Sequence, residues 1–114
     1  MDMELLFTYD NLLEPSEDFK LVGDVLTNDE YYMGKLSNCN FLIEMDGSGY
    51  GSSMVDLQCG KMWEGTYNDI KEYDIIKDCL GEDDSICIRK IIQVTFHNET
   101  YDTWCYFLNP KHIV

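Results

Sequence analysis

Short apolar runs separated by polar turns, rather than long helical stripes, set the pattern of this chain of 114 residues. Met3 to Tyr9 (MELLFTY) is too brief for a helix and suits a buried strand, ended by the turn-tolerant pair Asp10-Asn11. Leu12 to Asp29 is mixed and polar, with Pro15 and Gly23 as breakers, and reads as a loop with one helical turn. Tyr31 to Leu36 and Phe41 to Glu44 read as a strand pair around a Ser37-Asn38 turn. Asp46 to Ser53 (DGSGYGSS) reads as a loop, and Gly60 to Tyr67 (GKMWEGTY) as a further strand. Then comes a helix from Asp69 to Gly81. Ile70, Tyr73, Ile76 and Leu80 recur at three- and four-residue spacing, Asn68 or Asp69 can cap its start, and Gly81 ends it. Ile86 to Phe96 and Thr103 to Leu108 are strand-like, with His97 to Asp102 joining them as a hairpin. Strands dominate and a single main helix is inserted before the last hairpin, which is an α+β pattern rather than alternating βαβ.

Composition narrows the function. The length fits one domain over residues 1–114, and 45% hydrophobic residues supply a core. Eight basic against 22 acidic residues give a net charge of -14, which disfavours nucleic acid and anionic membranes as partners and favours a basic protein groove. No apolar run is long enough to span a bilayer, and the N-terminus carries no basic region followed by an apolar stretch. Cys39, Cys59, Cys79, Cys87 and Cys105 are scattered and odd in number, as in reduced core thiols of a cytoplasmic protein. His97 and His112 make no metal spacing with them, so neither a metal nor a cofactor is expected. The chain lacks alanine and is rich in Ile, Asn, Asp and Tyr, a bias that fits an AT-rich genome, bacterial, viral or phage.

Individual motifs are modest. The glycine-rich stretch Asp46 to Ser53 lacks the Lys-Ser/Thr ending of a P-loop and the following helix of a dinucleotide fingerprint, so it reads as a pocket rim. Glu64 and its neighbour Trp63 must point to opposite faces of a strand. Glu64 is then either a solvated side chain or a pocket carboxylate able to serve as a base. Glu82-Asp83-Asp84 lacks the alternating spacing of a calcium loop and reads as solvated charge. Cys79 has no neighbouring base and reads as a core thiol, and Arg89 and Lys90 read as partners of nearby acids.

Taken in order, these segments resemble the gamma-glutamyl cyclotransferase-like family along nearly the whole chain. Leu6 to Leu13 (LFTYDNLL) is similar to its Phe-x-Tyr-Gly-Thr-Leu strand and turn, and Asp46 to Met54 to its Gly-x-Tyr-Pro-Ala loop. Lys61 to Tyr67 resembles its Val-x-Gly-Glu-x-Tyr strand, Ile76 to Gly81 its Leu-Asp-x-x-Glu-Gly helix end, and Arg89 to Val94 with Thr103 to Asn109 its closing strands. The resemblance implies a small mixed β-barrel with one flanking helix. It also implies cofactor-free chemistry, in which the turn binds a substrate α-carboxylate and a helix-end glutamate removes a proton from the α-ammonium. The freed amine then attacks the γ-carbonyl and releases 5-oxoproline. By this register the ligand would meet Tyr9, Asp10, Asn11, Leu12, Gly49, Tyr50 and Leu80.

The same register puts Leu80 at the catalytic glutamate and Lys77 at the motif's aspartate. It also puts Asp10 at the glycine of the turn, and the strand motif reads Glu64-Gly65 in reversed order. Leucine accepts no proton, and Asp10 adds negative charge where a carboxylate would bind. The expectation is a pseudoenzyme, a binding protein for a small molecule or for a basic partner, and in the latter form a phage or viral inhibitor of a host protein. The alternative is an active cyclotransferase with Glu82 or Glu64 as relocated base.

Overall fold

The computed structural model describes residues 3–9, 14–15, 17–29, 31–36, 39–43, 53–55, 57–76 and 87–108. Within them lie β1 (Met3–Thr8), β2 (Lys20–Thr27), β3 (Tyr31–Leu36), β4 (Cys39–Ile43), β5 (Ser53–Val55) and β6 (Cys59–Thr66). α1 (Tyr67–Ile76), β7 (Cys87–Phe96) and β8 (Glu99–Leu108) complete the order. Five strands run β1-β6-β2-β7-β8, and a parallel pairing of Leu6 with Trp104 closes β8 back onto β1. The result is a closed barrel with one helix beside it, the expected α+β class. β4, β3 and β5 extend the sheet outward from β8.

Alternation along the strands separates two cores. Phe7, Met62, Val25, Val94, Cys105 and Phe107 belong to one cluster and fill the barrel interior. Their chain neighbours Leu6 and Tyr106 point the other way and pack with Ile70 and Tyr73 of α1, together with Phe19. Because α1 covers that outer face, Cys105 to Leu108 are all buried, and the strand reads as a continuous apolar run.

Four elements differ from the sequence reading. β2 lies where a loop was expected: a bulge between Leu21 and Gly23 breaks the alternation that would have revealed it. Pairing on β6 holds the strand regardless, and a Cβ at Gly23 would sit 2.7 Å from the Phe96 ring, so a larger residue there must displace that ring. The hairpin between β7 and β8 turns at two residues, His97 and Asn98, with φ of 50° and 66°, so β8 begins at Glu99 and not at Thr103. Two consecutive left-handed residues match the right-handed twist of the flanking strands, and Asn tolerates that geometry well. The helix is capped by Thr66, not by Asn68 or by Asp69 alone. The Thr66 backbone N–H donates to the Asp69 carboxylate at 2.7 Å, and the Asp69 N–H donates back to the Thr66 hydroxyl at 3.2 Å, a reciprocal capping box. β5 also begins inside the serine-glycine stretch read as loop. The Ser37-Asn38 turn, Cys79 and the Glu82 to Asp84 turn lie outside the described residues.

Candidate functional site

The free edge of β8 changes partners midway. β1 pairs with it at Trp104, and β4 takes over at Phe107 and Leu108. Tyr9, the residue after β1, fills that branch point. Its hydroxyl donates to the Tyr106 carbonyl at 2.5 Å and accepts from the Leu42 N–H at 3.0 Å. With Leu42 opposite Phe107, a parallel ladder would join those two backbone groups directly, so the phenol stands in for a ladder bond. Tyr9→Phe should therefore leave a donor and an acceptor unpaired and cost about 2 kcal/mol, read from urea unfolding. A cost below roughly 0.5 kcal/mol would mean that the two strands close on each other without the hydroxyl.

Tyr106 also reaches α1. Its hydroxyl donates to the Asp74 carboxylate, with the Ile70 carbonyl at 3.5 Å. Arg89 Nε lies 3.2 Å from the same Asp74 oxygen, and its guanidinium carbon sits 4.1 Å above the Trp104 ring. Burial pushes the Asp74 carboxyl above its ordinary range, opposed by the Tyr106 hydrogen bond and by the charges of Arg89 and Lys71. Sequence reasoning missed this cluster. The signal was available: Asp74 is a charged residue four places after Ile70, on the same helix face as the apolar stripe.

Three segments that would carry the ligand contacts leave this cluster. β1 leads into residues 10–12, β4 into the stretch that holds Gly49 and Tyr50, and α1 into the stretch that holds Leu80 and Glu82. Asp10, Asn11, Leu12, Gly49, Tyr50, Leu80 and Glu82 themselves lie outside the described residues. Tyr9 is described and is engaged by backbone at both its lone pair and its proton. Glu64 is half-buried and shares the face of Met62, toward the barrel interior, while Trp63 faces outward and donates its indole N–H to Thr8 at 2.9 Å. Glu64 is opposite Leu5, four residues before Tyr9. At about 3.3 Å per residue, that is roughly 13 Å from Tyr9, after which the turn begins.

Two other groupings stand apart. Carboxylate oxygens of Asp18, Asp69 and Glu72 lie within 4.8 Å of one another, with Asp69 engaged in the helix cap. A shallow depression of about 290 Å³ is lined by residues that include Asp24, Leu26, Cys59, Phe96 and His97. Cys59 is exposed there, whereas Cys87 and Cys105 are buried, and burial pushes the Cys105 thiol well up. Alkylation of the folded protein, followed by peptide mass spectrometry, should label Cys59 at least about 100-fold faster than Cys105. Equal labelling would show that the barrel opens on the timescale of the reaction.

No protein-family model matches the chain, and no curated protein matches it either. Solved structures do. An AIG2-like protein from Mus musculus superposes with a TM-score of 0.72 at 16% identity, covering 98% of this chain and 83% of that one. A gamma-glutamyl cyclotransferase superposes with a TM-score of 0.66 at 13% identity, covering 94% and 67%. An uncharacterized protein from Homo sapiens gives 0.68 at 13% identity, covering 95% and 68%. The chain therefore has the gamma-glutamyl cyclotransferase-like fold. Among the described residues, no helix is long and apolar enough to cross a membrane.

Proposed function

We propose that this chain is a ligand-binding protein on the cyclotransferase-like fold that does not carry out cyclotransfer. One observation carries the reading: Glu64 is opposite Leu5, roughly 13 Å along the strand from the turn, so it is badly placed to replace a proton acceptor lost at Leu80. Without a base the α-ammonium stays protonated and cannot attack the γ-carbonyl. Asp10 adds a negative charge to the turn, which disfavours an α-carboxylate and favours a neutral or cationic amide.

Pure protein incubated with gamma-glutamyl amino acids and gamma-glutamyl amines should release no 5-oxoproline. Calorimetry should show 5-oxoprolinamide binding more tightly than 5-oxoproline. Product release that disappears in Glu82→Gln would make the protein an enzyme and overturn the reading. Absence of binding by both probes, with a basic protein retained from a host lysate, would move the working surface from the pocket to the acidic exterior.

A further inference from the structure

Among the described residues, Arg89 forms one ion pair, to Asp74 at 3.2 Å, and both side chains are largely buried, at 16% and 11% exposure. Aromatic rings make up much of its other surroundings. The Tyr67 centroid is 5.6 Å from the guanidinium carbon and the Trp104 centroid 4.1 Å. Among the described residues, Arg89 Nη1 and the Trp104 indole nitrogen are buried donors without a hydrogen-bond partner. We propose that this cluster is an acid-operated switch: when Asp74 takes up a proton, Arg89 leaves the face of Trp104 and turns out to solvent. The switch does not depend on the binding reading above.

A buried guanidinium without a counter-charge is costly, because water solvates it far better than the protein does. While Asp74 is charged, that cost is offset across their contact. Once the carboxyl is neutral, attraction to the ring faces remains, which is weaker than the lost pairing, and Nη1 stays unsatisfied. Outward rotation returns every guanidinium N–H to water. The side chain already reaches the surface, so a rotamer change suffices, and α1 stays docked through Ile70 and Tyr73. The groups that act on Asp74 are Lys71 on its own helix, Arg89 on β7 and the Tyr106 hydroxyl on β8, whereas Leu6 on β1 and Trp63 on β6 carry nothing titratable. Burial favours the protonated carboxyl above the ordinary 3.8, and those three groups oppose it. Departure of Arg89 removes one opponent, so proton uptake and departure reinforce each other. The surface changes in one place: the faces of Tyr67 and Trp104 join Ile91, itself 49% exposed and opposite Trp104 in the β7–β8 register.

The Trp104 indole N–H resonance tests it, because Arg89 covers that ring. Trp63 is the internal reference, its indole N–H being bonded to Thr8. The isotope-labelled native protein is titrated from neutral pH towards acid, with far-UV circular dichroism marking the range in which the fold is intact. The Trp104 signal is expected to shift together with the Asp74 carboxyl carbon, at a midpoint above 3.8, while the Trp63 signal stays in place. Asp74→Asn keeps an acceptor for the Tyr106 hydroxyl but carries no charge. Its Trp104 signal is expected at the acid position already at neutral pH, with no titration; should this variant not fold, the native titration alone decides. The proposal is overturned if Asp74 titrates and the Trp104 signal does not follow, or if the two indole signals move together. It is equally overturned if Asp74 keeps its charge until the fold is lost, or if folded Asp74→Asn shows the neutral-pH signal of the native protein.

Discussion

Gly60→Ala is expected to destabilise the protein by about 3 kcal/mol or more, the largest effect of any single added methyl group in the barrel. A Cβ at Gly60 would lie 2.3 Å from the Thr8 carbonyl oxygen and 2.5 Å and 2.7 Å from two atoms of the Phe7 ring. Phe7 is buried and Thr8 is backbone in a paired strand, so neither can move aside without opening β1 from β6. Gly65 makes a useful contrast. A Cβ there meets the Phe19 ring at 2.6 Å and 2.7 Å, contacts to a side chain and not to paired backbone. Gly65→Ala should therefore cost visibly less than Gly60→Ala in parallel urea titrations. Equal midpoints for Gly60→Ala and the native protein would show that β1 and β6 are not held as closely as described. Because Thr8 and Tyr9 precede the turn, the same substitution should also weaken probe binding beyond what lost stability explains.

What the sequence made legible was whatever a local pattern could encode. β1, β6 and β7 are apolar runs bounded by turn residues, and each lies within about two residues of its expected place. β2 was hidden because its first half is exposed and bulged, leaving alternation only at Val25 and Thr27. The hairpin was placed correctly in the chain but drawn too long, because Asn98-Glu99-Thr100 looks polar enough to be loop while Glu99 and Thr100 in fact pair with Phe96 and Thr95. Thr66 was overlooked as a cap because it is also the last residue of a strand, a double role that propensity alone does not show.

The candidate site divides the same way. The resemblance directed attention to Tyr9 and to the segments around it, and the fold it implied is the one observed. It gave no hint of the link through Tyr106, because Asp74 and Tyr106 are 32 residues apart and meet only after the barrel has closed. Glu64 illustrates the limit of a face argument. Alternation placed it opposite to Trp63 correctly, but only the register with Leu5 tells at which end of the barrel it stands.

Arg89→Met should cost about 3 kcal/mol at neutral pH, and the cost should shrink in acid. Arg89 is mostly buried, stacked on Trp104 and 3.2 Å from the Asp74 carboxylate. Methionine fills similar volume, so the change removes chiefly the cation and leaves Asp74 with the Tyr106 hydroxyl and the weaker influence of the Lys71 charge. The native Asp74 carboxyl already holds its proton to higher pH than an ordinary carboxyl at 3.8, mainly through burial, and the Arg89 charge is one of the influences restraining that rise. In the unfolded chain the proton is lost near the ordinary value. Between the two values the folded state carries more protons than the unfolded one, so the contribution of Asp74 to stability declines as pH rises. Taking away Arg89 lets the folded value climb further and widens that window upward. At neutral pH the variant must then bury an uncompensated carboxylate or take up a proton, whereas below the unfolded value Asp74 is neutral in both states and the penalty for its charge disappears. The other carboxylates titrate in both proteins and cancel in the difference. Urea unfolding of the variant and the native protein across this pH range gives that difference directly. A cost that stays constant from acid to neutral pH would mean that Arg89 acts on this fold only through its contact with Trp104, and that Asp74 is not buried as a charge at all.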